Sequence, residues 1–111
     1  MKTFITFEDF KRLDIRVGTI IAINLFEKAK KPAYQIQIDF GPLGIKKTSA
    51  QLTLKYKEED LLLKQVLAIV NFPKKQIANY MSECLILGAV DAGEVTILNP
   101  ETKVPNGTIV S

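Results

Sequence analysis

The chain has 111 residues, with fifteen Lys and Arg against twelve Asp and Glu for a formal net charge of +3, which is room for one globular domain. It holds no His, no Trp and a single cysteine, Cys84, so His-dependent catalysis, imidazole-ligated metals, internal disulfides and thiolate clusters are excluded. No apolar run approaches the roughly 20 residues of a membrane span, and no basic-then-apolar leader opens the chain. A cytoplasmic protein without membrane insertion, metal or cofactor is therefore expected.

The elements follow in chain order. Thr6-Phe7-Glu8-Asp9 reads as a helix start, Thr6 capping and Asp9 closing a variant capping box. Phe7 and Phe10 share one face of this short helix, which must lean on the domain or on a second chain. From Leu13 the period changes to two: Leu13, Ile15 and Val17 alternate with Asp14 and Arg16, which are expected to pair on the polar face. Gly18 then suggests a bulge or bend, after which Ile20-Ile21-Ala22-Ile23 runs out of phase. A clearer strand follows, with Tyr34, Ile36, Ile38 and Phe40 alternating with Gln35, Gln37 and Asp39. Gly41-Pro42-Leu43-Gly44 is turn chemistry, and residues 45–49 return as a third strand.

Residues 52–56 and 58–63 read as a short helical connection. Residues 66–70 form a compact strand closed by Asn71-Phe72-Pro73, and residues 84–87 and 95–98 supply two more. Cys84, inside the apolar run to Leu87, reads as a buried structural thiol. The tail 104–108 is a turn before the apolar pair Ile109-Val110. Five or six short strands with one helix between the third and fourth give an all-β class, specifically the five-stranded OB-fold barrel.

Charge is unevenly placed. Residues 28–75 hold ten Lys and four acids, whereas residues 76–111 hold one Lys and four acids. The lysines cluster as Lys28, Lys30 and Lys31 before the second strand, Lys46-Lys47 on the third, and Lys74-Lys75 past the fourth. In an OB-fold these elements converge on the face that holds nucleic acid, with Tyr34 and Tyr80 as stacking candidates. An enzyme would need Ser49 with Lys46 or Lys47 as nucleophile and base, and no motif supports that pairing.

The run Phe10-Lys11-Arg12-Leu13-Asp14-Ile15-Arg16-Val17-Gly18-Thr19-Ile20 resembles the opening of the tRNA-binding domain family. Four further blocks resemble its free-standing branch, the CsaA-type export-related chaperones: Gly44 to Gln51, Val70 to Ala78, Ser82-Glu83, and Val104 to Thr108. The resemblance implies an OB-fold spanning 1–111, with residues 1–12 and 99–111 as extensions that build a homodimer. Among its partners it implies tRNA, met by shape and backbone, and also unfolded precursor proteins and export machinery.

Carried over by position, the RNA-binding candidates are Lys30, Lys46, Ser49, Gln51, Asn71, Lys74, Lys75 and Ser82, with Lys31 and Lys47 as weaker additions. The lysines would take phosphates, and the hydroxyls and amides sugar or base edges. Asn71 and the two serines also have ordinary turn- or strand-closing roles open to them. The alternative function, a chaperone groove for precursor peptides near the dimer seam, would use Phe72, Tyr80 and Met81. The chain departs from the family pattern at Ser82-Glu83-Cys84-Leu85, where the synthetase branch shows Ser-x-Gly-Met, and at Asn79 and Met81. Weaker tRNA binding than in the dedicated branch is expected.

Overall fold

The computed structural model describes residues 1–26, 30–77 and 80–111. Lys28 and Asn79, both singled out in the sequence, lie outside them. Thr6 caps α1 (Phe7–Lys11) through a reciprocal box: Thr6 Oγ1 accepts from the Asp9 amide at 3.1 Å, and Asp9 Oδ2 accepts from the Thr6 amide at 3.1 Å. The helix buries none of its residues. Phe7 remains 71% exposed, although its ring lies 6.3 Å from that of Phe10.

Three antiparallel strands follow: β1 (Ile15–Phe26), β2 (Ala33–Asp39) and β3 (Ile45–Ala50). The single-turn helix α2 (Glu58–Leu61) then leads into β4 (Gln65–Ile69), which pairs with the other side of β1. The rest of the chain supplies short strands: β5 (Lys75–Ile77), β6 (Tyr80–Ser82), β7 (Leu85–Ile86), β8 (Gly88–Asp91), β9 (Glu94–Ile97) and β10 (Ile109–Val110). The main sheet runs β3-β2-β1-β4-β7, while β5–β6 and β8–β9 are separate hairpins. This is the expected all-β, OB-like architecture, curled into a half-barrel. β10 joins β1 at Ile15 and Arg16, on the flank that β2 leaves free. The apolar tail is thereby paired within its own chain.

The register of β1 explains its broken sequence pattern. The strand is continuous through Gly18, and the bulge falls at Ile21, between the paired positions Ile20 and Ala22. The extra residue lets Ile20 and Ile23 both enter the core despite their spacing of three. Gly18 serves close approach instead: a Cβ there would lie 2.5 Å from Ile38 Cγ2 and 2.7 Å from the Phe40 ring. Ile15 and Val17 are buried, but outside the main cluster. That cluster gathers Ile20, Ile36, Ile38, Phe40, Leu61 and Val66, all fully buried.

The alternation in β2 is as the sequence implied, and it corrects the reading of Tyr34 as a stacking face. Tyr34 points inward and is only 7% exposed, its hydroxyl donating to the Tyr56 carbonyl at 2.8 Å. The helical connection is also shorter than expected: residues 53–55 form a turn, and only Glu58–Leu61 is helical. Asp14 and Arg16 pair as anticipated at 2.6 Å, with the guanidinium also donating to the Gly107 carbonyl. No helix among the described residues is long and apolar enough to cross a membrane.

Replacing Gly18 by Ala forces a methyl group into Ile38 and Phe40, both fully buried. A loss of about 1–3 kcal/mol is expected, read as a lower denaturant midpoint at unchanged slope. A midpoint equal to that of the wild type would refute the close approach.

Candidate nucleic-acid interface

The half-barrel closes where the outer edge of β3 meets β6, and side chains make much of that seam. The Glu83 amide donates to the Lys47 carbonyl at 2.7 Å, and the Lys47 amide donates back to Glu83 Oε1 at 2.9 Å. The Ser49 amide donates to Ser82 Oγ at 3.2 Å, and Thr48 Oγ1 donates to the Cys84 carbonyl at 2.7 Å. An edge strand would otherwise present bare amides to an apolar wall.

Beside this seam lies a cleft of about 370 Å³. Ser49, Phe72, Lys75 and Ser82, all singled out from sequence, line it together. Phe72 offers a ring 47% exposed, whereas Ser82 is nearly buried. Thr48, Pro73, Cys84 and Leu85 complete the walls and were missed as site residues. Cys84 is inert there, because burial pushes its thiol up to about 12.

A second cleft of about 340 Å³ shares Ser49 and Leu85 with the first and continues past Gln51 to Leu87 and Val90. Only the apolar run 84–87 hinted at it. The β8 strand was not legible, because its turn places Ala92 at φ 51° before Gly93 at φ 81°.

Of the lysines, Lys75 alone lines the first cleft. Lys47 Nζ sits 5.4 Å from the centroid of the Tyr80 ring, a cation–π approach. Tyr80 also meets the Phe26 ring at 5.7 Å and donates to the Ile36 carbonyl at 3.3 Å, so it is a packed, half-buried wall. Lys74 Nζ lies 3.5 Å from Glu83 Oε2. Lys75 has no ion-pair partner among the described residues. Lys46 is half-buried on β3, and Lys30 and Lys31 are exposed in the β1–β2 connection.

Lys30, Lys46, Gln51, Asn71, Lys74, Tyr80 and Met81 do not line the first cleft. Asn71 Nδ2 donates to the Arg12 carbonyl at 2.7 Å, and its Oδ1 accepts from the Asp14 amide at 3.0 Å. Its amide thus fastens the α1–β1 link to the end of β4, a long-range contact in place of the local turn role that the sequence left open. Met81 alternates with Tyr80 and Ser82 along β6 and takes the opposite face. No cluster of three or more metal-ligating side chains occurs among the described residues.

Glu83 was quoted only as part of a motif, yet it organises the face. The Lys47 amide, aided by the Lys74 ammonium, holds its carboxyl below the usual carboxylate range against the opposing effect of burial.

The sequence profile described as "Putative tRNA binding domain" matches residues 15–109. The methionine–tRNA ligase of Methanococcoides burtonii is 35% identical over 110 residues, covering 98% of this chain but 16% of the ligase. The chain thus spans about a sixth of the length of that relative. The solved structure of chaperone CsaA from Bacillus anthracis superposes with a TM-score of 0.94 at 47% identity, covering 98% of this chain and all of the other. CsaA from Picrophilus torridus gives 0.91 at 46% identity, covering 97% and 100%.

A carboxylate with a depressed native pKa stabilises the fold above its unfolded pKa and loses that contribution as pH falls through the native value. The stability gap between wild type and Glu83→Gln should therefore shrink on acidification. Melting temperatures of both proteins from neutral pH to about pH 3 check this, and a gap independent of pH would contradict it.

Proposed function

The chain belongs to the tRNA-binding domain family, and from that premise we propose that it is a non-catalytic, cytoplasmic module that binds tRNA through the face around β3 and the Phe72–Lys75 segment. The observation that carries this reading is the meeting of Ser49, Phe72, Lys75 and Ser82 in one cleft with Lys46, Lys47 and Lys74 nearby. Ammonium groups and backbone donors suit phosphates, and hydroxyls suit ribose. The exposed Phe72 ring suits an unstacked base. Lys30 and Lys31 extend the positive field from the β1–β2 connection, and Gln51 lines the adjoining cleft.

Titration with bulk tRNA at low and moderate salt tests this. Affinity should fall steeply with salt, and Lys74→Glu/Lys75→Glu should cost about tenfold or more. Unchanged binding by the folded double variant would remove the site.

A second reading, a chaperone of the CsaA kind that holds unfolded precursor segments for export, is favoured by the second cleft. There Leu85 is 47% and Val90 71% exposed, in a concave, largely apolar surface. Peptide capture of this kind should persist at high salt and fail in Val90→Asp, whereas tRNA binding should survive that substitution. Loss of both activities together, or of neither, would deny the second cleft a separate role.

Homodimer formation accounts for the N-terminal extension. Phe4 is 92%, Ile5 71% and Phe7 71% exposed on a segment that buries nothing within its own chain, and a two-fold contact would cover them. Light scattering should find a dimer for the wild type and a monomer for Phe7→Asp. A wild-type monomer would refute the arrangement.

A further inference from the structure

Glu83 places a carboxylate inside the basic face, and its two oxygens are held differently. Oε1 accepts from the Lys47 amide at 2.9 Å, and Oε2 lies 3.5 Å from the Lys74 ammonium. The carboxylate side chain is 21% exposed and the lysine 66%, so the pair sits at the rim with its cation toward solvent. A backbone N–H together with an ammonium is the donor set that an RNA phosphate oxygen accepts from. Lys75 and Lys74 are consecutive, but only Lys74 is neutralised in this way among the described residues.

We propose that Glu83, anchored on the Lys47 amide, is an internal anion that holds the Lys74 ammonium in the place of an RNA phosphate, and that bound RNA takes Lys74 from it. This rests on the tRNA-binding reading above. Glu83 carries its charge at neutral pH, so an incoming anion competes with it for Lys74. A lone phosphate faces that competitor unaided. A polyanion is held by Lys75 and Lys46 as well, so its local concentration at Lys74 is high. The device lowers affinity for every anion that uses Lys74, and a ligand with further phosphates on Lys75 and Lys46 retains useful binding where a mononucleotide or free phosphate does not.

Glu83→Gln tests it, since the new amide oxygen still accepts from the Lys47 amide and keeps the seam closed. The variant should bind tRNA about two- to fivefold more tightly, the scale of one partly exposed ion pair. Its log–log salt dependence should steepen by about 0.7–0.9, the share of one cation no longer neutralised in the free protein. Lys74→Gln should weaken binding little in the wild type and several-fold in the Glu83→Gln background, a non-additivity that a purely structural Glu83 would not produce.

Inorganic phosphate, followed at the Lys47 amide resonance, probes the competition for Lys74 without RNA: it should saturate at lower concentration in Glu83→Gln than in wild type. If wild-type protein fails to bind tRNA, the functional reading falls and the phosphate titration still decides that competition. Equal phosphate midpoints in the two proteins overturn the proposal. So does unchanged or weaker tRNA binding by a folded Glu83→Gln protein.

Discussion

The seam between β3 and β6 is the constraint on which the rest depends. A curled sheet that does not fully close leaves an edge whose amides must be satisfied, and each one stranded against an apolar wall costs about 1–3 kcal/mol. Here the Ser82 hydroxyl, the Glu83 carboxylate and the Thr48 hydroxyl complete the closure, the last capping the Cys84 carbonyl. One backbone bond, from the Glu83 amide to the Lys47 carbonyl, joins these side-chain bonds, and the first cleft opens beside them. Ser82 therefore closes the fold and lines the cleft at once, so its removal disturbs closure and binding surface together.

The sequence made β2 legible because four apolar residues alternate with three polar ones, and that face is the one buried. It made the helix start legible because the capping box is local, needing only Thr6 and Asp9. β1 was harder. Gly18 carries two meanings in a strand, bulge or close approach, and the positions of Ile38 and Phe40 decide between them. Tyr34 was misplaced because its nearness to lysines in the chain says nothing about which side of a pleat it occupies. Of the β5–β6 and β8–β9 hairpins only β9 was legible, as the run 95–98, while β5, β6 and β8 carry too little periodicity to count.

The site was legible in composition and illegible in pairing. Lys74 and Lys75 look equivalent in sequence, yet one faces Glu83 and the other lines the cleft. Asn71 has the chemistry of a sugar contact, but its amide holds Arg12 and Asp14, residues more than fifty positions away. Contacts of that separation leave no local pattern. Glu83 illustrates the same limit, as a solitary acid whose hydrogen-bond partner Lys47 is 36 positions distant.

The two adjoining clefts bind the two functional readings together. Ser49 and Leu85 belong to both, so a ligand filling one places atoms on the wall of the other. An RNA segment at Phe72 and an apolar peptide at Val90 would therefore meet across these two side chains. Their charges also act in one direction: phosphates that neutralise Lys75 and Lys74 reduce the positive field beside the apolar cleft, while a basic peptide there would repel the lysines and strengthen the hold on phosphate. Coupling between sites is reciprocal, so any influence of RNA on peptide affinity must be matched by an equal influence of peptide on RNA. In this fold such coupling needs no conformational change, only the shared wall and the charge carried across it.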